Sequence, residues 1–351
     1  MEKIDIKSLD YGELQAYFKE LGEKSFRAGQ VYQWMHEKLA DGIGEMTNLS
    51  KSLRETLNET CTYTLLEPVN ILTSGIDGTQ KYLFRLADGN VVESVLMKYR
   101  HGNSVCISTQ VGCRMGCRFC ASTIGGLTRC LTVSEMLEEV YRIQKLSGER
   151  VSNLVLMGTG EPLDNYDNVV KFIRMLSDGH GLNISQRNIT LSTCGLVPRI
   201  RELAEEDLQI TLALSLHASS QEKRKELMPI AYKYGLEEVL DACRFYFDKT
   251  GRRLTFEYSL VGGVNDTDED AAELVKLIGG MNCHVNLIPV NPIEEREYVQ
   301  SEKKVIADFK NKLEKCGINV TIRREMGRDI QGACGQLRKS YMEQKESEAE
   351  E

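Results

Sequence analysis

The chain holds no apolar run approaching the ~18 residues of a membrane-spanning helix, so a transmembrane protein is not expected. No charged-then-apolar leader opens it, and secretion has no support. Its eleven cysteines among 351 residues are too sparse for a disulfide scaffold, which leaves reduced thiols in a cytoplasmic protein as the expectation. No internal repeat is found, nor any low-complexity stretch before the C-terminal tail. With 41% hydrophobic and 27% charged residues, composition excludes fibrous, collagenous and disordered classes. The length exceeds the usual domain of about 100–150 residues, so one large domain, alone or with a smaller companion, is expected.

An excess of positive charge is lacking too. The net charge of −8, taken as a sum, discourages a nucleic-acid partner, but its distribution matters more. Residues 342–351 hold five glutamates against one lysine, a tail expected to be disordered, and leave only −4 over the first 341 residues. Lys98, Arg100, Arg114, Arg118 and Arg129 lie in a stretch from Lys98 to Cys130 that contains no acid. Residues 321–340 hold five basic and two acidic side chains. A charge run is ordinarily a solvated face, yet the first surrounds the densest cysteines and the second contains Cys334.

Helical periodicity dominates the first 62 residues. Ser8 precedes an apolar pattern of Leu9, Leu14, Phe18 and Leu21 that stops at Gly22; a second run covers Phe26 to Leu39, and Ser50 caps a third through Leu57. Strand patterns follow at Thr64–Leu72, Lys81–Ala87 and Val91–Tyr99, divided by Asp77-Gly78 and Asp88-Gly89, and predict a small antiparallel extension. From Val105 onward strands and helices alternate. The strands are Val105–Thr109, Asn153–Met157, Ile189–Thr193, Ile210–Leu216, Leu254–Leu260, Val285–Val290 and Ile318–Ile322, with a capping box of Thr132 and Glu135 opening the first intervening helix. Six or seven β-then-α units predict an α/β fold with a partial or full TIM-like barrel and a ligand site at the C-terminal ends of its strands. The expected division is a helical accessory domain over 1–62, a strand extension over 63–99, a core over 100–340 and an acidic tail over 341–351.

Cys113, Cys117 and Cys120 are spaced C-x3-C-x2-C in the loop after the first core strand. Structural zinc takes four protein ligands, whereas a cubane iron–sulfur cluster held by three thiolates keeps one iron open. Gly158-Thr-Gly-Glu-Pro162 lacks the third glycine of a dinucleotide fingerprint. Alone it reads as a turn, though glycine admits a ligand to the backbone and Glu161 accepts hydrogen bonds from an ammonium. Ser192, Ser215, His217 and Asn291 each end or follow an expected strand. Separately they are strand-end hydrogen bonders; together they occupy the rim where a barrel binds its ligand. Alternation puts Cys106 opposite the aliphatic face of its strand, and Cys334 lies between glycines near Arg323, Arg324, Arg328 and Arg338, which favour a thiolate. Glu93 shares a strand face with Val91, Val95 and Met97. It is either a buried base or a charge blunting an exposed edge. Cys61, Cys130, Cys194, Cys243, Cys283 and Cys316 default to small buried hydrophobes.

The three-cysteine motif, with Phe119 before its last member, resembles the signature of radical S-adenosylmethionine (SAM) enzymes. Within that superfamily the chain is similar to the RlmN family of RNA methyltransferases. The shared motifs are FRAGQVYQW from Phe26, GTGEP, Leu191-Ser-Thr-Cys-Gly195, Ser215-Leu-His217, Met228-Pro-Ile230, Asn286-Leu-Ile-Pro-Val-Asn-Pro292 and Ala333-Cys-Gly-Gln-Leu337. The resemblance implies a [4Fe-4S] cluster on Cys113, Cys117 and Cys120, whose open iron is chelated by SAM. Phe119 would lie near the adenine and Gly160 and Glu161 at the methionine end, while Ser192, Ser215, Leu216, His217 and Asn291 would hold ribose, adenine and carboxylate.

It also implies two SAM molecules per turnover. One methylates Cys334, and the other is cleaved to a radical that takes hydrogen from the S-methyl group. The resulting methylene adds to adenine carbon 2, in 23S ribosomal RNA at the peptidyl transferase centre or in tRNA just 3′ of the anticodon. Glu93 would remove the carbon 2 proton, and Cys106 would release Cys334 as a disulfide. The implied partners are those RNAs and an electron donor such as flavodoxin or ferredoxin, with the protein a monomer and the target base flipped. The related methyltransferase Cfr uses the same cysteines on carbon 8; the proline of GTGEP and the FRAGQVYQW leader favour carbon 2. A non-catalytic iron–sulfur RNA sensor would account for the cysteine motif and the arginines, but not for Cys334, GTGEP or the strand-end set.

Overall fold

The computed structural model describes residues 3–100, 102–293 and 296–330; Cys334, Arg338 and the acidic tail lie outside the described residues. At the N-terminus, β1 (Ile4–Asp5) pairs in parallel with β2 (Cys61–Thr62) around helices α1 (Tyr11–Glu20), α2 (Ser25–His36) and α3 (Lys51–Thr60). Ser50 caps α3 as expected, accepting the Leu53 N–H. Ser8 does not cap α1. Its hydroxyl is engaged by Asp5 at 2.6 Å and by the Ser134 N–H at 3.0 Å, so Asp10 takes the cap in a reciprocal box with Glu13.

The strands β3 (Glu67–Thr73), β4 (Gln80–Arg85) and β5 (Val91–Tyr99) form the expected antiparallel ladder, but not as a separate unit. β5 pairs with β6 (Gly102–Cys106), which runs parallel to β9 (Val151–Leu156), so the extension continues the main sheet. Between β6 and β9 stand a hairpin of β7 (Gln110–Gly112) and β8 (Leu127–Cys130) and the helix α4 (Val133–Ser147). The series continues with α5 (Tyr166–Leu176), β10 (Ile189–Thr193), α6 (Val197–Ala204) and β11 (Thr211–Ser215). It ends with α7 (Gln221–Leu227), α8 (Leu236–Thr250), β12 (Leu254–Leu260), α9 (Asp268–Ile278), β13 (Cys283–Pro289), α10 (Lys303–Lys315) and β14 (Asn319–Ile322). β6 and β9 through β14 are seven parallel strands in sequential order within a ten-stranded sheet whose edges are β14 and β3. The barrel is therefore partial. Thr132 and Glu135 form the expected capping box on α4.

β10 and β12 match their sequence-based limits, whereas the first core strand begins three residues early, at Gly102. Pairing with β5 sets that register, from Val95 opposite Cys106 to Tyr99 opposite Gly102. The residues after it stay bonded to the end of β9 and the loop beyond: the Ile107 N–H donates to the Val155 carbonyl at 3.2 Å, and the Gly158 N–H donates to the Ile107 carbonyl and the Thr109 N–H to the Thr159 carbonyl, each at 2.9 Å. No described helix is long and apolar enough to cross a membrane.

The helical leader docks on α4 through buried polar contacts. Lys7 Nζ donates to Glu138 at 2.5 Å and to the Thr64 carbonyl at 2.9 Å, and His36 Nδ1 meets the Tyr141 hydroxyl at 2.8 Å. Around them the apolar face of the leader and that of α4 merge into one core.

Candidate active site

The β7–β8 hairpin frames the cysteine loop. Gly112 has φ of 78°, and a Cβ there would stand 2.0 Å from the Gly126 carbonyl oxygen, so only glycine closes the hairpin. The Cys113 N–H donates to that same carbonyl at 2.9 Å. Within the loop the Thr123 hydroxyl reaches the carbonyls of Cys117 and Cys120, while the Arg118 N–H donates to the Leu227 carbonyl of α7.

Cys113, Cys117 and Cys120 line a cavity of about 600 Å³ at the C-terminal ends of the parallel strands, where the barrel rule put it. Phe119, Gly160, Glu161, Ser192, Ser215, His217 and Asn291 line the same cavity. Leu216 does not; it is fully buried between two of them, its N–H donating to the Glu257 carbonyl at 3.0 Å. Burial pushes the Cys113 thiol up to about 12 and raises that of Cys117 as well. Such thiols become thiolates only with a metal to bind them. Among the described residues no three His, Cys, Asp or Glu side chains converge on a single ion position. In a cubane three thiolates attach to three separate irons. Three cysteines on one cavity wall fit such a cluster.

The GTGEP loop is welded to the end of the first core strand. Gly160 has φ of 113°, and a Cβ would lie 2.7 Å from the Gln110 Cβ. Gln110, absent from the sequence-based site, joins this loop to the hairpin: its Oε1 accepts the Glu161 N–H and its Nε2 donates to Asp164, each at 2.9 Å. Thr159 is buried, its N–H on the Ser108 hydroxyl and its own hydroxyl 3.4 Å from that of Ser122. Glu161 is buried, which raises its pKa, against the backbone N–H groups of Cys194 at 2.8 Å and Leu163 at 3.1 Å.

The strand-end set meets as expected. Ser192 and Ser215, on adjacent strands, bring their hydroxyls to 3.4 Å. His217 is held in the left-handed region at φ of 55°, and its Nδ1 accepts the Ser259 N–H at 2.9 Å, which puts the ring hydrogen on Nε2. Burial, aided by the charge of Arg224, lowers its pKa to about 3 and keeps the ring neutral. Phe119 packs edge-on against it with ring centres 4.8 Å apart.

Glu257 is a further buried carboxylate on this cavity. Burial raises its pKa; Asn286 donates to it at 2.8 Å, and the charge of Arg323 opposes the rise. The available signal was one acid in the otherwise apolar and polar-neutral strand LTFEYSL. Arg323, Arg324 and Arg328 also line the cavity, as the basic run foreshadowed.

Glu93 and Cys106 stand one layer away. β5 is flanked by β4 and β6, so the exposed-edge alternative for Glu93 is ruled out: its carboxylate is buried 3.2 Å from the fully buried ammonium of Lys81. Cys106 packs with Val95 and Met97 behind Met157 and Met326, both of which line the cavity. Val105 and Ile107 face the main core, as alternation required. Of the six cysteines expected to be buried packing residues, Cys61, Cys194, Cys243 and Cys283 are; Cys130 is half-buried, and Cys316, at the end of α10, is exposed.

Residues 4–62 match the ribosomal RNA large subunit methyltransferase N-terminal domain, and residues 107–278 match the radical SAM superfamily. A probable dual-specificity RNA methyltransferase RlmN from Lachnospira eligens is 68% identical over 339 residues, 97% of this chain and 97% of that protein. Another of the same name from Lachnoclostridium phytofermentans is 66% identical over 97% of this chain and 96% of that one. The crystal structure of a radical SAM methyltransferase from Sphaerobacter thermophilus superposes with a TM-score of 0.91 at 42% identity, covering 95% of this chain and 98% of that one. The chain therefore belongs to the RlmN family of radical SAM RNA methyltransferases, enzymes that use a [4Fe-4S] cluster and SAM.

Proposed function

We propose that the enzyme methylates carbon 2 of adenine in 23S ribosomal RNA at the peptidyl transferase centre and in tRNA just 3′ of the anticodon. The observation that carries this reading is the single cavity shared by the cysteine loop, the GTGEP loop and the strand-end set, with Cys106 directly behind its wall. Carbon 2 is electron-poor and does not attack a methyl cation, so a polar transfer from SAM fails. When bound, the cluster supplies the electron that cleaves SAM to a carbon radical. Cys113, Cys117 and Cys120 hold it, and Phe119 and His217 wall the adenine side. Ser192, Ser215 and Asn291, with the Leu216 backbone between strand ends, bind ribose and carboxylate. Gly160 gives SAM's methionine end access to the backbone, and Glu161 accepts its ammonium.

Cys334, outside the described residues, carries a methyl group from one of two SAM molecules and presents it to carbon 2 as a methylene. The radical adduct would give up one electron to the redox centre as Glu93, its carboxylate oriented by Lys81, takes the carbon 2 proton; the Cys106 sulfur would then bond to that of Cys334 as the carbon–sulfur bond breaks, and the released carbon would take up a proton to become the methyl group. Reopening that disulfide requires a reducing compartment, in keeping with a cytoplasmic enzyme acting on ribosomal and transfer RNA. The enzyme acts as a monomer supplied by flavodoxin or ferredoxin. Residues 1–62 serve as the RNA-gripping part beside a 63–99 extension, a 100–340 core and an acidic tail.

Nucleoside mass spectrometry after anaerobic incubation with SAM, reductant and each RNA tests the assignment. The expected product is 2-methyladenosine, with S-methylcysteine at Cys334 in the resting protein. Formation of 8-methyladenosine would move the chemistry to carbon 8, and absence of 5′-deoxyadenosine would leave an iron–sulfur RNA sensor.

A further inference from the structure

Arg224, on α7, is fully buried, an uncommon place for a guanidinium. Its Nη2 donates to the Cys194 carbonyl at 2.7 Å and lies 3.5 Å from that of Ser215. Its Nε and Nη1 are buried with no hydrogen-bond partner, and among the described residues no carboxylate pairs with it. A buried cation left this way is strongly unfavourable unless a counter-charge arrives.

The surroundings say where that counter-charge would sit. One turn after Arg224, the Leu227 carbonyl accepts the Arg118 N–H of the cysteine loop. Leu227 and Met228 share an apolar cluster with Cys117, Phe119 and Cys194. Burial raises the thiol pKa values of Cys117 and Cys194, and the charge of Arg224 opposes it at both. The residue whose carbonyl Arg224 holds also gives its N–H to Glu161, so the guanidinium is linked to the GTGEP loop through Cys194, while its helix is bonded to the cysteine loop through the Leu227 carbonyl.

We propose that Arg224 is a positioning residue whose guanidinium is the built-in counter-ion of the iron–sulfur cluster and raises the cluster's reduction potential. A cubane bound by three thiolates is an anion. It gains one further negative charge when a low-potential donor passes it an electron. A fixed cation inside the same low-dielectric wall stabilises the more negative state more than the less negative one. Arginine suits the position because its charge persists under burial and its planar fork fixes the Cys194 carbonyl while leaving two N–H edges free. The inference rests on the assignment of Cys113, Cys117 and Cys120 to the cluster, which the iron content of the reconstituted wild-type protein tests separately.

The decisive experiment is an anaerobic redox titration of the full-length, reconstituted protein with dithionite and mediators, followed by electron paramagnetic resonance. Arg224→Gln is expected to weaken reduction at least tenfold, a midpoint lower by about 59 mV for one electron, and Arg224→Lys to recover much of the shift. A wild-type midpoint in a fully loaded Arg224→Gln protein overturns the proposal. Thermal unfolding of Arg224→Met gives a readout without turnover: the loss of stability should be larger in the cluster-loaded than in the cluster-free protein. Equal losses in the two forms, or failure of the variants to fold when cluster-free, would make Arg224 a support of the Cys194 turn alone and overturn it equally.

Discussion

Both carboxylate oxygens of Glu161 accept backbone N–H groups, yet no cation faces this buried side chain among its described partners. A ligand ammonium would complete it. Replacing Glu161 with Gln should cost SAM affinity about tenfold or more, since a hydrogen bond to a charged group contributes about 1.5–3 kcal/mol. Equilibrium dialysis against the loaded protein measures this, and unchanged affinity would remove Glu161 from the cofactor site. At this scale the sequence disclosed residue types but not their company. Glu93 was legible as a carboxylate on an apolar stripe, whereas Lys81 carried no signal, because its partner stands on a neighbouring strand twelve positions along the chain. Gln110 was equally hidden. Its bonds to Glu161 and Asp164 reach far along the chain, and neither spacing has a local pattern.

The β7–β8 hairpin escaped sequence reading for a different reason. Strands of three and four residues are too short for alternation to register, and the loop between them is dominated by cysteine and glycine. Its closure rests on Gly112 meeting the Gly126 carbonyl, a contact set by backbone geometry alone. Gly112→Ala is therefore expected to open the hairpin, costing on the order of 1–3 kcal/mol from the positive φ even before the clash is relieved. Iron uptake on reconstitution should fall with it. Normal iron content and an unchanged melting temperature would show that the hairpin does not hold the cysteines. Longer elements were read well, as β10, β12 and the capped α4 show, because each carries its own periodicity or cap.

For the whole molecule, the leader is joined to the core by polar groups that left water. His36 is fully buried, with Nδ1 on Tyr141 and Nε2 lacking a partner. Burial, with the charge of Lys7, lowers its pKa from 6.5 to about 3. The unfolded chain binds a proton near pH 6.5 and the native state does not until about 3, so this contribution to stability is complete above 6.5 and is lost as pH falls between the two. Urea unfolding at a series of pH values should show wild type losing stability more steeply than His36→Gln in that window. The difference approaches one proton, about 1.36 kcal/mol per pH unit. Parallel slopes would mean that the imidazole is protonated in place.

At that same scale, the α/β class, the parallel core and most of the residues on the cavity rim followed from the sequence, since hydrophobic period and strand-end position are local properties that the parallel topology converts directly into one face. That the barrel stays open, that the extension joins it through β5 and β6, and that Ser8 gives up its cap to Asp10 were decided by the tertiary structure. So were the burial of Glu93 against Lys81 and of Arg224 behind the cysteine loop. Each of these depends on which distant group arrives to satisfy a donor, an edge or a charge, and a linear pattern carries the demand without naming the partner that meets it.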